Sequence, residues 1–144
     1  MSEDAINPVE LVQRLNDTLS LQYRSILQFT LAAGGLTGLE FQFVADRLSA
    51  FTVAELADTE RIVAKIVALA GEPTTRVAGI RNGSEPRTTL GELVESEEEV
   101  IASLVKAIPP TGTEGPGEAV EHLIEHVLFR KHEQVDWLRR ALAS

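Results

Sequence analysis

Six polar residues stand where a helical period calls for apolar side chains: Gln22, Glu55, Asp58, Glu97, Lys131 and Gln134. Each fills a gap in an otherwise apolar seam. The seams run Leu15, Leu19, Gln22, Ile26, Phe29, then Leu48, Phe51, Glu55, Asp58, Ile62, then Leu90, Val94, Glu97, Ile101, Leu104, and lastly Ile124, Val127, Lys131, Gln134, Leu138. All steps are three or four, so the polar groups face inward with their apolar neighbours. Buried there, they must find one another or a metal ion, because an unpaired buried charge is costly. One polar residue on two segments and an i, i+3 pair on the other two is the layout of carboxylate-bridged dinuclear metal sites in helical bundles. In those sites two helices supply Glu and two supply Glu-x-x-His. Only Glu55 and Glu97 keep the expected ligand types here.

The donor set favours loss of a dinuclear site. Two divalent ions carry four positive charges, whereas Glu55, Asp58 and Glu97 supply at most three negatives and Lys131 subtracts one. An ammonium can stand where a cation would stand, and lysine held charged by carboxylates has no lone pair to donate. Gln22 and Gln134 are poor ligands for iron but good hydrogen-bond partners for carboxylates. The main reading is a metal-free, salt-bridged core. Its rival is a single divalent ion on Glu55, Asp58 and Glu97.

Other chemistry-bearing residues are read as solvated. His122 and His126 have the i, i+4 spacing that can bind zinc, with Glu118, Glu121 and Glu125 around them, but they lie off the inward seam. His132 also points away from it. The acidic run Glu95–Glu99 suits the first half of a helix, where carboxylates favour the dipole. No Ser-His-Asp arrangement and no phosphate-cradling loop occurs, and the glycines of 112–117 belong to a turn.

Four helices must position the six residues. Asn7-Pro8-Val9-Glu10 reads as a capping box that opens a helix over about 8–34, stopped by Gly34-Gly35. Thr37-Gly38-Leu39-Glu40 opens a second over about 38–70, ended by Gly71 before Pro73. Thr89-Leu90-Gly91-Glu92 opens a third over about 89–108, stopped by Pro109-Pro110, and Pro116 opens the last over about 116–142. Two connections are short and suit antiparallel neighbours. Residues 72–87 form a polar stretch without periodicity. At about 3.3 Å per residue it reaches about 50 Å. A helix of about 30 residues is about 45 Å long, so the stretch can span the bundle. The expectation is an all-α, antiparallel four-helix bundle of two helical hairpins joined by one long crossover, a single domain over 1–144.

At this point the chain resembles the bacterioferritin and ferritin-like superfamily. Leu15-Asn16-Asp17 through Gln28-Phe29 looks like its first helix. Ala54-Glu55 to Ile66, followed by Gly71-Glu72-Pro73, resembles its second helix and exit. Val94-Glu95-Ser96-Glu97 through Ala107-Ile108 resembles the third, and Val135-Asp136-Trp137-Leu138 the signature after the last metal-binding histidine. The resemblance implies family ligand positions at Gln22, Glu55, Asp58, Glu97, Lys131 and Gln134, four of them changed from the family type. The family's tyrosine falls on Phe29 and its haem-binding methionine on Leu56, so haem is not expected.

Composition bounds the rest. A chain of 144 residues with 44% apolar and 24% charged residues is long enough for one core. Its net charge of −9 argues against nucleic acid. With no cysteine it has neither disulfides nor thiolate sites. It shows no signal peptide and no run of about 18 apolar residues, so no membrane role is expected and a cytoplasmic location is. The expected function is a binding or structural ferritin-like protein with a degenerate diiron centre, no catalytic residue and no cofactor. The alternatives are a ferroxidase or oxidase handling iron or another single divalent metal, and a subunit that depends on a partner chain. A second apolar stripe on the second helix, Leu56, Val63, Val67 and Ala70, predicts a homodimer through the first two helices. A 24-subunit shell is not expected, because no sequence for a fifth helix follows Leu142.

Overall fold

The computed structural model describes residues 7–83, 85–109 and 116–143. Four long helices make up the fold: α1 (Pro8–Gly35), α2 (Gln42–Ala68), α3 (Pro86–Ala107) and α4 (Pro116–Ala143). No strand occurs among the described residues. Gly112 and Gly115, expected in a turn, lie outside them, whereas Gly117, expected in the same turn, lies in the first turn of α4.

Helix starts and stops follow local chemistry. The Asn7 side chain accepts from the Val9 backbone N–H at 2.8 Å, and Pro8 takes the first helical position. The expected start at Thr37 is replaced by a short 3-10 turn, Leu39–Phe41, after Gly38, whose φ of 103° favours glycine. Helix α2 closes in a Schellman motif. Gly71 N–H bonds the Ile66 carbonyl at 2.9 Å and Ala70 N–H that of Val67 at 2.9 Å. The left-handed residue is Ala70, φ 62°, rather than the glycine beside it. Gly71 is needed for a different reason: a Cβ there would lie 2.6 Å from Val12 of α1. Helix α3 begins at Pro86, not after Thr89. Glu85 is extended, and the Thr89 hydroxyl reaches back to the Gly83 carbonyl at 3.2 Å. Proline at the first helical position set that start in preference to the Thr-x-x-Glu box.

Each neighbouring pair is antiparallel. Phe29 meets Phe51 across α1 and α2, Thr18 meets Ser103 across α1 and α3, and Phe51 meets Trp137 across α2 and α4. The crossover runs along α1. Asn16 holds both Glu72 and Thr74, the Tyr23 hydroxyl donates to the Thr74 carbonyl, and the Arg81 N–H donates to Gln28. Arg81 also pairs with Glu99, which Arg24 holds from α1 at 2.8 Å. The result is the two-hairpin, one-crossover bundle.

The core comes in two pieces. One gathers Leu15, Leu19, Ile62, Ile66, Leu104 and Ile124. The other gathers Phe29, Leu48, Leu90, Leu93 and Leu138. Between them lies a polar layer contributed by all four helices.

Candidate functional site: a buried ion layer

The six inward polar residues are all buried. Gln22, Glu55, Asp58 and Lys131 are 0% exposed, Glu97 1% and Gln134 2%. Lys131 is at the centre. Its Nζ donates to Glu55 Oε2 at 2.6 Å and to Glu97 Oε1 at 2.8 Å. Gln22 Nε2 donates to the same Glu55 oxygen at 2.8 Å and to Thr59 Oγ1 at 3.1 Å. Ser25 Oγ donates to Glu97 Oε2 at 2.6 Å. Glu55 from α2, Glu97 from α3 and Lys131 from α4 thus form one triad, braced from α1 by Gln22 and Ser25.

The other two residues stand apart from the triad. Asp58 faces Arg130, whose Nε is 2.8 Å from Oδ2, and Arg61 lies 3.9 Å from Oδ1. The structure therefore joins Glu55 and Glu97 through Lys131 and turns Asp58 to the arginines. Gln134 was expected to bond a carboxylate, yet both its amide atoms lack a hydrogen-bond partner. Among the described residues no group of three or more His, Asp or Glu is placed to hold a metal ion. His122 is exposed beside Glu118 at 3.7 Å, and His126 meets Arg130 at 3.2 Å.

Burial and pairing set the charges. Burial alone would lower the Lys131 pKa, but attraction from Glu55 and Glu97 and their hydrogen bonds outweigh it and raise it above 10.5. Burial raises Glu97 above 4.5; Lys131 and Ser25 oppose this only in part, and the Glu55 charge adds to it. Burial likewise raises Asp58 above 3.8, with Arg130 opposing and Glu55 adding.

The sequence left three contributors unnoticed. Ser25 and Thr59 sit on the inner seams three and four residues after Gln22 and Glu55, a spacing that could have shown them. Arg130 lies one residue off the seam and reaches in with its long side chain.

The family model of the ferritin-like domain matches residues 12–144, and the chain belongs to that family. A ferritin-like diiron-carboxylate protein from Bacillus anthracis has the same fold, with TM-score 0.85 at 22% identity over 99% of both chains. BfrA from M. tuberculosis gives 0.82 at 23% identity, over 91% of this chain and 81% of that one. A dodecameric thioferritin from Bacteroides fragilis gives 0.86 at 18% identity, over 96% and 88%. None of the curated proteins compared with the chain matches it.

These neighbours correct one expectation. A homodimer through the first two helices does not stand, since a bundle of this fold builds a dodecamer. The apolar surface gives a physical reason. Leu56 and Val67 on α2 are half exposed or more, but so are Val105 on α3 and Phe129 on α4. One two-fold contact across α1 and α2 leaves the latter uncovered. No helix among the described residues is long and apolar enough to cross a membrane.

Proposed function

We propose that this ferritin-like protein has replaced its dinuclear metal centre with an internal ion triad and serves a binding or structural role in the cytoplasm. The observation that supports this most is the Lys131 ammonium, 2.6 Å from Glu55 and 2.8 Å from Glu97. A divalent ion there would need the same oxygens and would face a fixed positive charge at close range. The remaining donors do not fit a diiron pair either. Gln22 aims its NH₂ at Glu55, Asp58 is engaged by Arg130, and no histidine is in the layer. At Leu56, on the outer face, no side chain can ligate haem iron. The triad's role is then to fix register, since a buried charge set tolerates only one alignment of three helices.

Metal analysis of protein purified after growth with added iron and manganese tests the reading. Substoichiometric metal, and no oxygen-dependent oxidation of ferrous ion above background, are expected. Two irons per chain with rapid oxidation contradict it. An assembly larger than a dimer accompanies the proposal, supported by the apolar surface on several helices. Light scattering should give a mass well above twice the 15.7 kDa chain.

A further inference from the structure

A cleft of about 620 Å³ opens at the end of the bundle where α2 and α3 begin and α4 ends. It is separate from the ion layer: Trp137, on its wall, lies about 9 Å along α4 from Lys131, with apolar core between. Its floor is apolar, built by Phe41, Phe43, Leu90 and Trp137. Phe43 is 66% exposed and stacks at a tilt on Trp137, with ring centroids 6.1 Å apart.

The rim carries the opposite charge from the chain as a whole. Arg87 and Arg140 line the cleft; Arg47, outside the lining, lies 5.4 Å over the Trp137 ring. Against them stands, among the described residues, one lining carboxylate, Glu40. In a protein of net charge −9 this is a local concentration of guanidinium over aromatic surface. Among the described residues neither Arg140 nor Arg47 has a carboxylate at ion-pair distance. Arg87 donates to the Leu142 carbonyl, which ties the start of α3 to the end of α4 and fixes the cleft's width.

We propose that this cleft binds a carboxylic acid with an apolar body. A guanidinium pairs with carboxylate in a planar, two-point fashion. Aromatic walls take the apolar part, and the volume falls in the usual range of small-molecule sites. A neutral apolar molecule would leave the Arg140 guanidinium unused, and a bare anion would leave the aromatic floor wet.

Trp137 is the chain's one tryptophan and lies in the wall, so its fluorescence reads the site directly. The intact protein is titrated with decanoate below its micellar range, and with decanol as the neutral analogue. A saturable change with decanoate is expected, with decanol weaker by about tenfold or more. Arg140→Glu and Phe43→Glu, both at exposed positions, should each weaken decanoate by about tenfold or more with helical circular dichroism unchanged. The absence of a saturable change overturns the proposal. So does equal binding of decanol, or parental affinity in either variant. Two variants keep the test decisive if one does not fold.

Discussion

Replacing Lys131 by methionine removes the counter-charge and keeps much of the volume. The ammonium makes two contacts, at 2.6 and 2.8 Å, and all three groups are buried. At an effective dielectric of about 20 each contact is worth about 6 kcal/mol before desolvation. Burying the ammonium costs several kcal/mol of that, so part of the loss is returned when the charge is deleted. Glu97, already raised above 4.5 by burial, can also take up a proton and relieve the repulsion. The net expectation for Lys131→Met is a loss of about 3–5 kcal/mol near neutral pH. For a chain of this length that corresponds to about 10–15 °C in Tm. Urea and thermal unfolding followed by circular dichroism, at one chain concentration, measure it. The pH dependence has a definite sign. Without Lys131 the attraction that opposes burial at Glu97 is gone, so its raised folded pKa makes the folded state bind more protons than the unfolded one. Stability then rises as pH falls from neutral toward 4.5, and the deficit against the parent shrinks. Adding Glu55→Leu and Glu97→Leu to Lys131→Met should recover most of the loss, because apolar replacement of a whole buried ion set is near neutral or better. A loss of only a few tenths of a kcal/mol, or a deficit that does not shrink on acidification, refutes the reasoning.

Four further outcomes follow from the same structure. The raised Lys131 pKa contributes stability that is complete below 10.5 and is lost as pH climbs through its folded value; the parent should therefore weaken at strongly alkaline pH more steeply than the triply apolar variant. At the α2 exit, Ala70→Gly relieves a left-handed alanine and should stabilise by about 0.5–1 kcal/mol. Gly71→Ala drives a methyl to within 2.6 Å of Val12 and should destabilise by about 1–3 kcal/mol; urea midpoints measure both. Lys131→Glu with Gln134→His restores two family ligand types and should raise iron(II) or manganese(II) affinity by calorimetry. No rise would contradict the assignment of the six positions.

The polar layer was legible in the sequence because a 3.6-residue period leaves little choice about which face is buried. Gln22, Glu55, Asp58, Glu97, Lys131 and Gln134 all interrupt apolar seams, and all are inside. Who pairs with whom was less legible. Asp58 and Glu55 are one turn apart on the same face, yet Asp58 turns to Arg130, because a long side chain beside the seam can reach a group on it. Ser25 and Thr59 went unnoticed because small hydroxyls barely disturb an apolar pattern. The α3 start was misplaced since two valid signals competed, and Pro86 prevailed over Thr89. Assembly was read from one stripe on one helix, whereas Val105 and Phe129 show that other faces are also apolar.

In the proposed function the Lys131 ammonium takes the place of a metal ion between Glu55 and Glu97. Crystals grown with excess iron(II) under anaerobic conditions, with diffraction collected at the iron edge, test it most directly. No anomalous peak is expected in the polar layer, with Lys131 Nζ between Glu55 and Glu97. Anomalous peaks on those carboxylates, with Lys131 swung away, would contradict it.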